Sequence, residues 1–131
     1  MDVGAAAKGF HLAMIDARGL IAGPERCRSA SEAVRRLASW RPHLVAVDSP
    51  LRPAPDGERS RPCERAFARA GICSLRYTPD RLRLNTSPYY AWILNGLALY
   101  RGLTATGLAA IECFPTASWT RWYGPRGRAP R

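Results

Sequence analysis

Three acidic residues have the chain positions that a divalent-metal site requires. Asp2 starts a short apolar segment, Asp48 follows the apolar run 44–47, and Glu112 lies within the apolar segment 108–115. The carboxyl ends of parallel strands gather ligand sites, and carboxylate oxygens suit Mg²⁺ or Mn²⁺. A pair of such ions about 4 Å apart activates water for phosphodiester hydrolysis. The three acids are therefore predicted to be both metal ligands and catalytic residues.

Each acid also has a simpler interpretation. An aspartate before Ser-Pro, as at position 48, is often a turn-forming residue. Asp2 is compatible with a solvated position near the start of the chain, and Glu112 with a strand edge that faces water. An ionised group inside an apolar strand, however, needs a cation or a donor to offset its burial. The combination of the three favours the metal site.

The charge balance favours a polyanionic partner. Twenty Lys and Arg residues against ten Asp and Glu give a net charge of +10, which favours nucleic acid. Arg61, Arg65 and Arg69 recur on one face of a predicted helix, and we expect them to bind the phosphate backbone. A solvated helix face is the alternative. Glu64, among them, is predicted to support the metal site from behind its ligands or to form an exposed ion pair.

Aromatic and basic residues alternate near the end of the chain. Trp119, Trp122 and Tyr123 surround Arg121, a pattern typical of a platform on which bases stack. The favoured interpretation is that these aromatic residues belong to a core whose cover is absent from this chain, so Trp119 and Trp122 are expected to be unusually exposed.

The elements that must position these residues form one α/β domain over residues 1–118, with a basic tail over 119–131 that is expected to fray. Segments 2–4, 10–15 and 20–22 predict a three-strand meander. The run 44–47 predicts a strand covered on both faces, and 108–115 predicts another strand. Ser29 and Glu32 form a capping box that begins one helix. A second helix is predicted from Pro62, with its apolar face at Cys63, Ala66, Phe67 and Ala70, and a third runs from Pro88 to Tyr100.

Other classes of protein are disfavoured. The four cysteines, Cys27, Cys63, Cys73 and Cys113, include no C-x-x-C pair, which predicts reduced thiols in a cytoplasmic protein rather than a zinc site. The uncharged stretch 84–100 is shorter than the roughly 20 apolar residues of a membrane span, so no membrane segment is expected.

Several short motifs occur in a consistent order along the chain. They are Asp-Val-Gly at 2–4, Lys-Gly-Phe-His at 8–11, Val-Ala-Val-Asp-Ser-Pro-Leu at 45–51, Arg-Pro-Cys-Glu-Arg at 61–65, Gly-Ile at 71–72 leading to Thr-Pro at 78–79, and Ile-Glu-Cys-Phe-Pro-Thr-Ala at 111–117. Together they resemble the predicted ribonuclease-H-like nucleases grouped as domain of unknown function 429.

This resemblance implies a ribonuclease-H-like mixed sheet of a three-strand meander plus parallel strands, with helices packed on it. It also implies a cluster of acids around Mg²⁺ or Mn²⁺, with Asp2 and Asp48 as ligands and Glu112 as a further acid. The family pattern includes an apolar lead-in before the first acid and an Asp-bearing helix near the end, and neither occurs here. We therefore expect an incomplete domain with weak or absent cleavage.

The sequence thus predicts a metal-dependent nuclease or a weakly active relative of one. The alternative is a non-catalytic module that binds nucleic acid or another partner. Chemistry on a free nucleotide is less favoured, because the chain has no Gly-rich phosphate loop. The sequence distinguishes neither DNA from RNA nor one oligomeric state from another.

Overall fold

The computed structural model describes residues 1–5, 7–72 and 76–124. Within these residues the chain forms five strands and five helices. The strands are β1 (Asp2–Val3), β2 (Phe10–Asp16), β3 (Gly19–Cys27), β4 (Val45–Val47) and β5 (Ala110–Glu112); the helices are α1 (Ala30–Trp40), α2 (Pro62–Arg69), α3 (Arg81–Leu84), α4 (Ala91–Ala105) and α5 (Pro115–Tyr123). A 3-10 turn, Pro88–Tyr90, leads into α4.

The predicted meander is confirmed. Strands β1, β2 and β3 form an antiparallel sheet in that order. The backbone N–H of Arg18 donates to the Asp16 carboxylate at 2.7 Å, and Gly19 takes a positive φ of 127° that other residues rarely adopt. This turn sets the register of β2 against β3.

Strands β4 and β5 form a second, parallel pair, in which Val47 lies opposite Glu112. An isolated parallel bridge between Asp2 and Asp48 joins β4 to β1, and the Asp48 N–H donates to the Met1 carbonyl at 2.8 Å. The strands therefore follow the spatial order β3-β2-β1-β4-β5. The predicted mixed sheet with packed helices is confirmed at this level.

Helix α1 begins after Ser29 as predicted, but Glu32 reaches the N–H of Arg28 rather than that of Ser29, so the capping box is only half formed. The Ser29 hydroxyl accepts from the Glu32 N–H at 3.2 Å, and the Glu32 carboxylate accepts from the Arg28 N–H at 2.7 Å. The helix ends at Arg41, whose left-handed φ of 53° precedes Pro42, a residue that disfavours continued helix.

Helices α1 and α4 pack against each other and against one face of the sheets. The main hydrophobic core forms there, and its members are Val3, Phe10, Leu12, Cys27, Ala33, Val34, Leu37, Val45, Val47, Leu99, Tyr100 and Leu103. No helix in the described ranges is both long enough and apolar enough to span a bilayer.

The prediction that strand 44–47 is covered on both faces is wrong. Val45 and Val47 are buried, but Ala46 is exposed and Leu44 is 50% exposed. Ile111, opposite Ala46 in β5, is 47% exposed as well. The helices that contribute to the core cover one face of this parallel pair, so its side chains alternate between core and surface.

The predicted apolar face of α2 is also wrong. Cys63 and Ala66 are exposed and Phe67 is 38% exposed, whereas the buried side chains are Arg61 and Glu64. An ion pair, rather than the weak apolar stripe, decides which side of this short helix turns inward.

Helices α3 and α5 are absent from the sequence predictions. Helix α5 crosses the predicted boundary between residues 118 and 119, and positions 125–131 of the predicted tail lie outside the described residues, as does Cys73. Cys27, Cys63 and Cys113 are free thiols.

A close approach between α4 and the end of β4 yields a stability prediction. A Cβ at Gly96 would overlap the Ser49 side chain. Gly96→Ala should therefore lower the free energy of unfolding by about 1–3 kcal/mol, although alanine normally stabilises a helix interior by about 1 kcal/mol over glycine. Urea denaturation of parent and variant measures the difference. The double variant Gly96→Ala/Ser49→Gly should recover most of the loss, and a stabilised Gly96→Ala single variant would contradict this packing.

Candidate functional site

Two of the predicted acids are brought side by side by the backbone. Asp2 and Asp48 are partners in the bridge between β1 and β4, and Glu112 ends β5, the next strand of the parallel group. All three side chains line one pocket. The pocket therefore contains the three acids that the sequence offers as candidate ligands.

The pocket has a volume of about 510 Å³, within the range of about 300–1,000 Å³ typical of small-ligand sites. Its charged lining includes bases as well as acids. The charged residues are Asp2, Lys8, Asp48, Arg61, Glu64, Arg76 and Glu112, and the aromatic residues are Phe67, Tyr89, Trp92 and Phe114.

Asp48 is the acid whose ionisation is most disfavoured by its surroundings. Burial raises the pKa of the Asp48 carboxyl, and the negative charges of Asp2 and Glu112 raise it further, against a lowering by the amino terminus. Like charges in one site disfavour ionisation of each, and a bound cation relieves that repulsion. Asp2 is more open to solvent, with its side chain 66% exposed and its carboxylate 3.7 Å from Nδ1 of His11.

Glu112 has different partners. Nη1 and Nη2 of Arg61 donate to its two oxygens at 2.7 and 2.5 Å, and the Leu51 N–H donates to Oε2 at 2.8 Å. Burial raises the pKa of Glu112, but these hydrogen bonds outweigh burial and leave the pKa below its ordinary value. Both carboxylate oxygens are therefore already neutralised by protein donors.

Glu64 completes what we call the Arg61 network, formed by Arg61, Glu64 and Glu112. Nε of Arg61 donates to Glu64 Oε1 at 2.8 Å, and Glu64 Oε2 accepts from the Arg61 and Thr78 N–H groups, each at 3.0 Å. The side chains of Arg61 and Glu64 are 9% and 3% exposed. Of the two interpretations of Glu64, an exposed ion pair is wrong, because the pair is buried.

The predicted basic face of α2 is wrong for Arg61. Its guanidinium is held inside by two carboxylates, so it does not extend to a phosphate backbone. Arg65 is half-buried and donates to Glu58 at 2.8 Å, while Arg69 is exposed. Burial of Arg61 removes the first of the three arginines from the face that helical spacing predicted.

The aromatic residues of α5 lie at the surface of the described chain. Trp122 is 75% and Tyr123 71% exposed, and the Trp119 and Tyr123 rings are 4.6 Å apart between centroids. The predicted exposure of Trp119 and Trp122 is confirmed, since they are 46% and 75% exposed.

The sequence predictions do not include the aromatic lining of the pocket or a binding role for Lys8. Tyr89 and Trp92 follow the Ser87-Pro88 helix start, whereas Phe67 and Phe114 come from distant segments whose rings approach to 6.3 Å. The sequence signal for this lining is the aromatic content of the 89–92 stretch, which predicts a largely buried helix.

The arrangement offers two carboxylates rather than a full cage for a cation. In the part of the chain that is described, no group of three or more His, Cys, Asp or Glu side chains is arranged to hold a metal ion. Glu112 is directed to Arg61, which leaves Asp2 and Asp48 as the acids available to a ligand.

The chain was compared with protein-family models, with curated proteins and with solved structures, and none of the three comparisons found a match.

Removal of the buried guanidinium should be strongly destabilising. Arg61→Gln leaves two carboxylates without their cation, and breaking a buried pair in this way costs about 3–5 kcal/mol. Arg65→Gln on the same helix breaks a more exposed pair, which is worth about 1 kcal/mol or less. Urea denaturation at neutral pH gives both values. Equal losses in the two variants would contradict a structural role for the Arg61 network.

The Arg61 network should also contribute to acid stability. Because folding lowers the pKa of Glu112, its ionised form stabilises the fold above the ordinary glutamate pKa, and this contribution is lost as the pH falls through the lowered folded value. In that window the slope of unfolding free energy against pH should be smaller in Glu112→Gln than in the parent, by up to about 1.4 kcal/mol per pH unit. Glu25→Gln, at a surface ion pair, is the control. Parallel curves for parent and Glu112→Gln would refute the lowered pKa.

Proposed function

We propose that this pocket is the active site of a divalent-metal-dependent phosphodiesterase that acts on nucleic acid. The observation that carries the proposal is the Asp2–Asp48 bridge, which holds two carboxylates together where parallel strands β1 and β4 meet the pocket. The carboxyl side of parallel strands is the usual place for a ligand in an open α/β sheet.

The two acids fit one Mg²⁺ or Mn²⁺. Mg²⁺ is usually held by one or two carboxylates, by waters and by the phosphate of the substrate, so Asp2 and Asp48 suffice as protein ligands. The raised pKa of Asp48 means that its surroundings disfavour a negative charge there, and a bound cation would reduce that penalty. Glu112, whose oxygens are taken by Arg61 and Leu51, supports the site without binding the metal. The proposal is therefore a one-metal site rather than the two-metal site expected from the sequence.

The chemistry is hydrolysis of a phosphodiester. A water oxygen bonds to phosphorus, the bond from phosphorus to the ester oxygen breaks, and the leaving oxygen takes up a proton. A bound divalent cation supplies positive charge to the phosphoryl oxygens and lowers the pKa of water. Asp2 and Asp48 would hold the cation, while Lys8 and Arg76 in the pocket lining would attract the phosphodiester.

A ribonuclease-H-like fold is part of the proposal. The strand order β3-β2-β1-β4-β5, with an antiparallel meander beside parallel strands, is consistent with the fold that the motif resemblance implies. Fold alone does not establish activity, so the proposal depends on the acids rather than on the sheet.

The second candidate is a non-catalytic nucleic-acid-binding module. It is favoured by the net charge of +10 and by the neutralisation of Glu112 within the protein. This candidate predicts salt-dependent binding, with the logarithm of affinity falling by about 0.9 per phosphate contacted for each unit of log salt on duplex DNA. It predicts no cleavage that depends on Asp48.

Cleavage of single-stranded and duplex DNA and RNA, with and without Mn²⁺, separates the two candidates. We expect slow cleavage that requires the metal and falls at least about 10-fold in Asp48→Asn, since even residues behind metal ligands cost about 10- to 100-fold. Binding of Mn²⁺, followed by its electron paramagnetic resonance signal, should weaken in the same variant.

Asp16→Asn, the same chemical change at the β2–β3 turn, should leave both cleavage and metal binding at the parent level. Nucleic-acid binding without Mn²⁺-dependent cleavage would reject the phosphodiesterase and favour the binding module. Equal cleavage by parent and Asp48→Asn would assign the activity to a contaminant.

A further inference from the structure

Part of the pocket wall is aromatic and basic. It contains Tyr89, which is 55% exposed, and the guanidinium of Arg76 lies over one face of the Tyr89 ring, 5.7 Å from its centroid. Trp92 lines the same wall. Exposed ring faces beside a cation are the elements on which single-stranded bases stack in proteins.

The pocket also contains buried polar atoms that lack a partner within the described residues. Trp92 Nε1 and Ser49 Oγ make no hydrogen bond there, but the Ser49 hydroxyl is directed at Gly96 of α4, which leaves the Trp92 N–H as the donor available to a ligand. Both residues line the pocket. A buried donor without a partner costs about 1–3 kcal/mol. A ligand that brings an acceptor atom to such a donor should therefore bind more tightly than a hydrocarbon of the same shape.

These features together specify the ligand. Tyr89 would stack on a planar ring, and the unpaired Trp92 N–H would donate to an acceptor atom of that ring. Lys8 and Arg76 would bind a negative charge beside it. A nucleobase with its phosphate meets all three requirements. The pocket volume of about 510 Å³ suits one nucleotide, whereas a base within a duplex is stacked and must leave the stack to enter a pocket.

We propose that the aromatic wall, formed by Tyr89, Trp92 and Arg76, binds a single unpaired nucleotide, with its base against Tyr89 and its phosphate toward the acids. This inference rests on the proposed function for its orientation, because it places a phosphodiester beside Asp2 and Asp48. The substrate class is then a single strand or a strand end, and not a continuous duplex.

The test uses the intact protein and needs no metal. Adenosine and uridine 5′-monophosphates, in EDTA, are titrated by calorimetry beside ribose 5-phosphate and inorganic phosphate. The nucleotides should bind more tightly than ribose 5-phosphate. Tyr89→Leu should weaken nucleotide binding by about 5- to 150-fold, the usual contribution of one base stack, and leave ribose 5-phosphate binding unchanged.

Trp92→Phe keeps an aromatic ring, replaces the indole by the smaller phenyl and removes the unpaired N–H, so it should weaken nucleotide binding by about 2- to 10-fold. Trp122→Phe is the matched control, since Trp122 is exposed on α5 and does not line the pocket. Circular dichroism verifies the fold of each variant.

Binding of nucleotide no tighter than ribose 5-phosphate, or unchanged by Tyr89→Leu, would overturn the inference. Because these titrations contain no metal, their outcome is separate from that of the cleavage assay. Cleavage without nucleotide binding would support the phosphodiesterase and reject the nucleotide site. Nucleotide binding without cleavage would support the nucleotide site and reject the phosphodiesterase.

Discussion

A buried arginine shared between two glutamates holds the site together. Helix α2 buries almost none of its apolar side chains, and its inward contacts are those of Arg61 and Glu64. Through Glu112 the same guanidinium fixes the helix to the end of β5, and through the Leu51 and Thr78 N–H groups the two glutamates fix two loops. Loss of either charge would leave the other buried and unpaired, so the helix, the strand end and the loops depend on one another.

This arrangement explains which sequence predictions succeeded. The meander and helix α1 follow from local chemistry, since a turn at 16–19 and a helix cap at Ser29 act within a few residues. The convergence of Asp2 and Asp48 follows from a general property of parallel strands. Each of these features is determined by short-range patterns or by sheet geometry that a sequence displays.

The failures come from interactions between distant residues. Helical spacing placed Arg61 beside Arg65 and Arg69 on a solvent face, but its partner Glu112 lies far along the chain, and a pair of buried charges outweighed the apolar stripe at Cys63 and Ala66. Strand 44–47 looked fully buried because its residues are all apolar, yet helices cover only one of its faces. Single-sequence periodicity gives no information about how many layers pack on a strand.

The division of roles among the acids follows from the same interaction. A carboxylate that accepts three protein hydrogen bonds is already neutralised and offers little to a second cation, so Glu112 and Arg61 form a closed pair. Among the described residues, no such hydrogen-bond donor acts on the Asp48 carboxylate. Burial and the negative charges of Asp2 and Glu112 raise its pKa, and the positive amino terminus offsets this only in part. The protein therefore supplies its own cation on the β5 side of the pocket and leaves negative charge in excess on the β1–β4 side. Because Glu64 and Glu112 share the Arg61 guanidinium, its charge does not offset the charges of Asp2 and Asp48, and a positive charge from outside the chain would be needed to balance them.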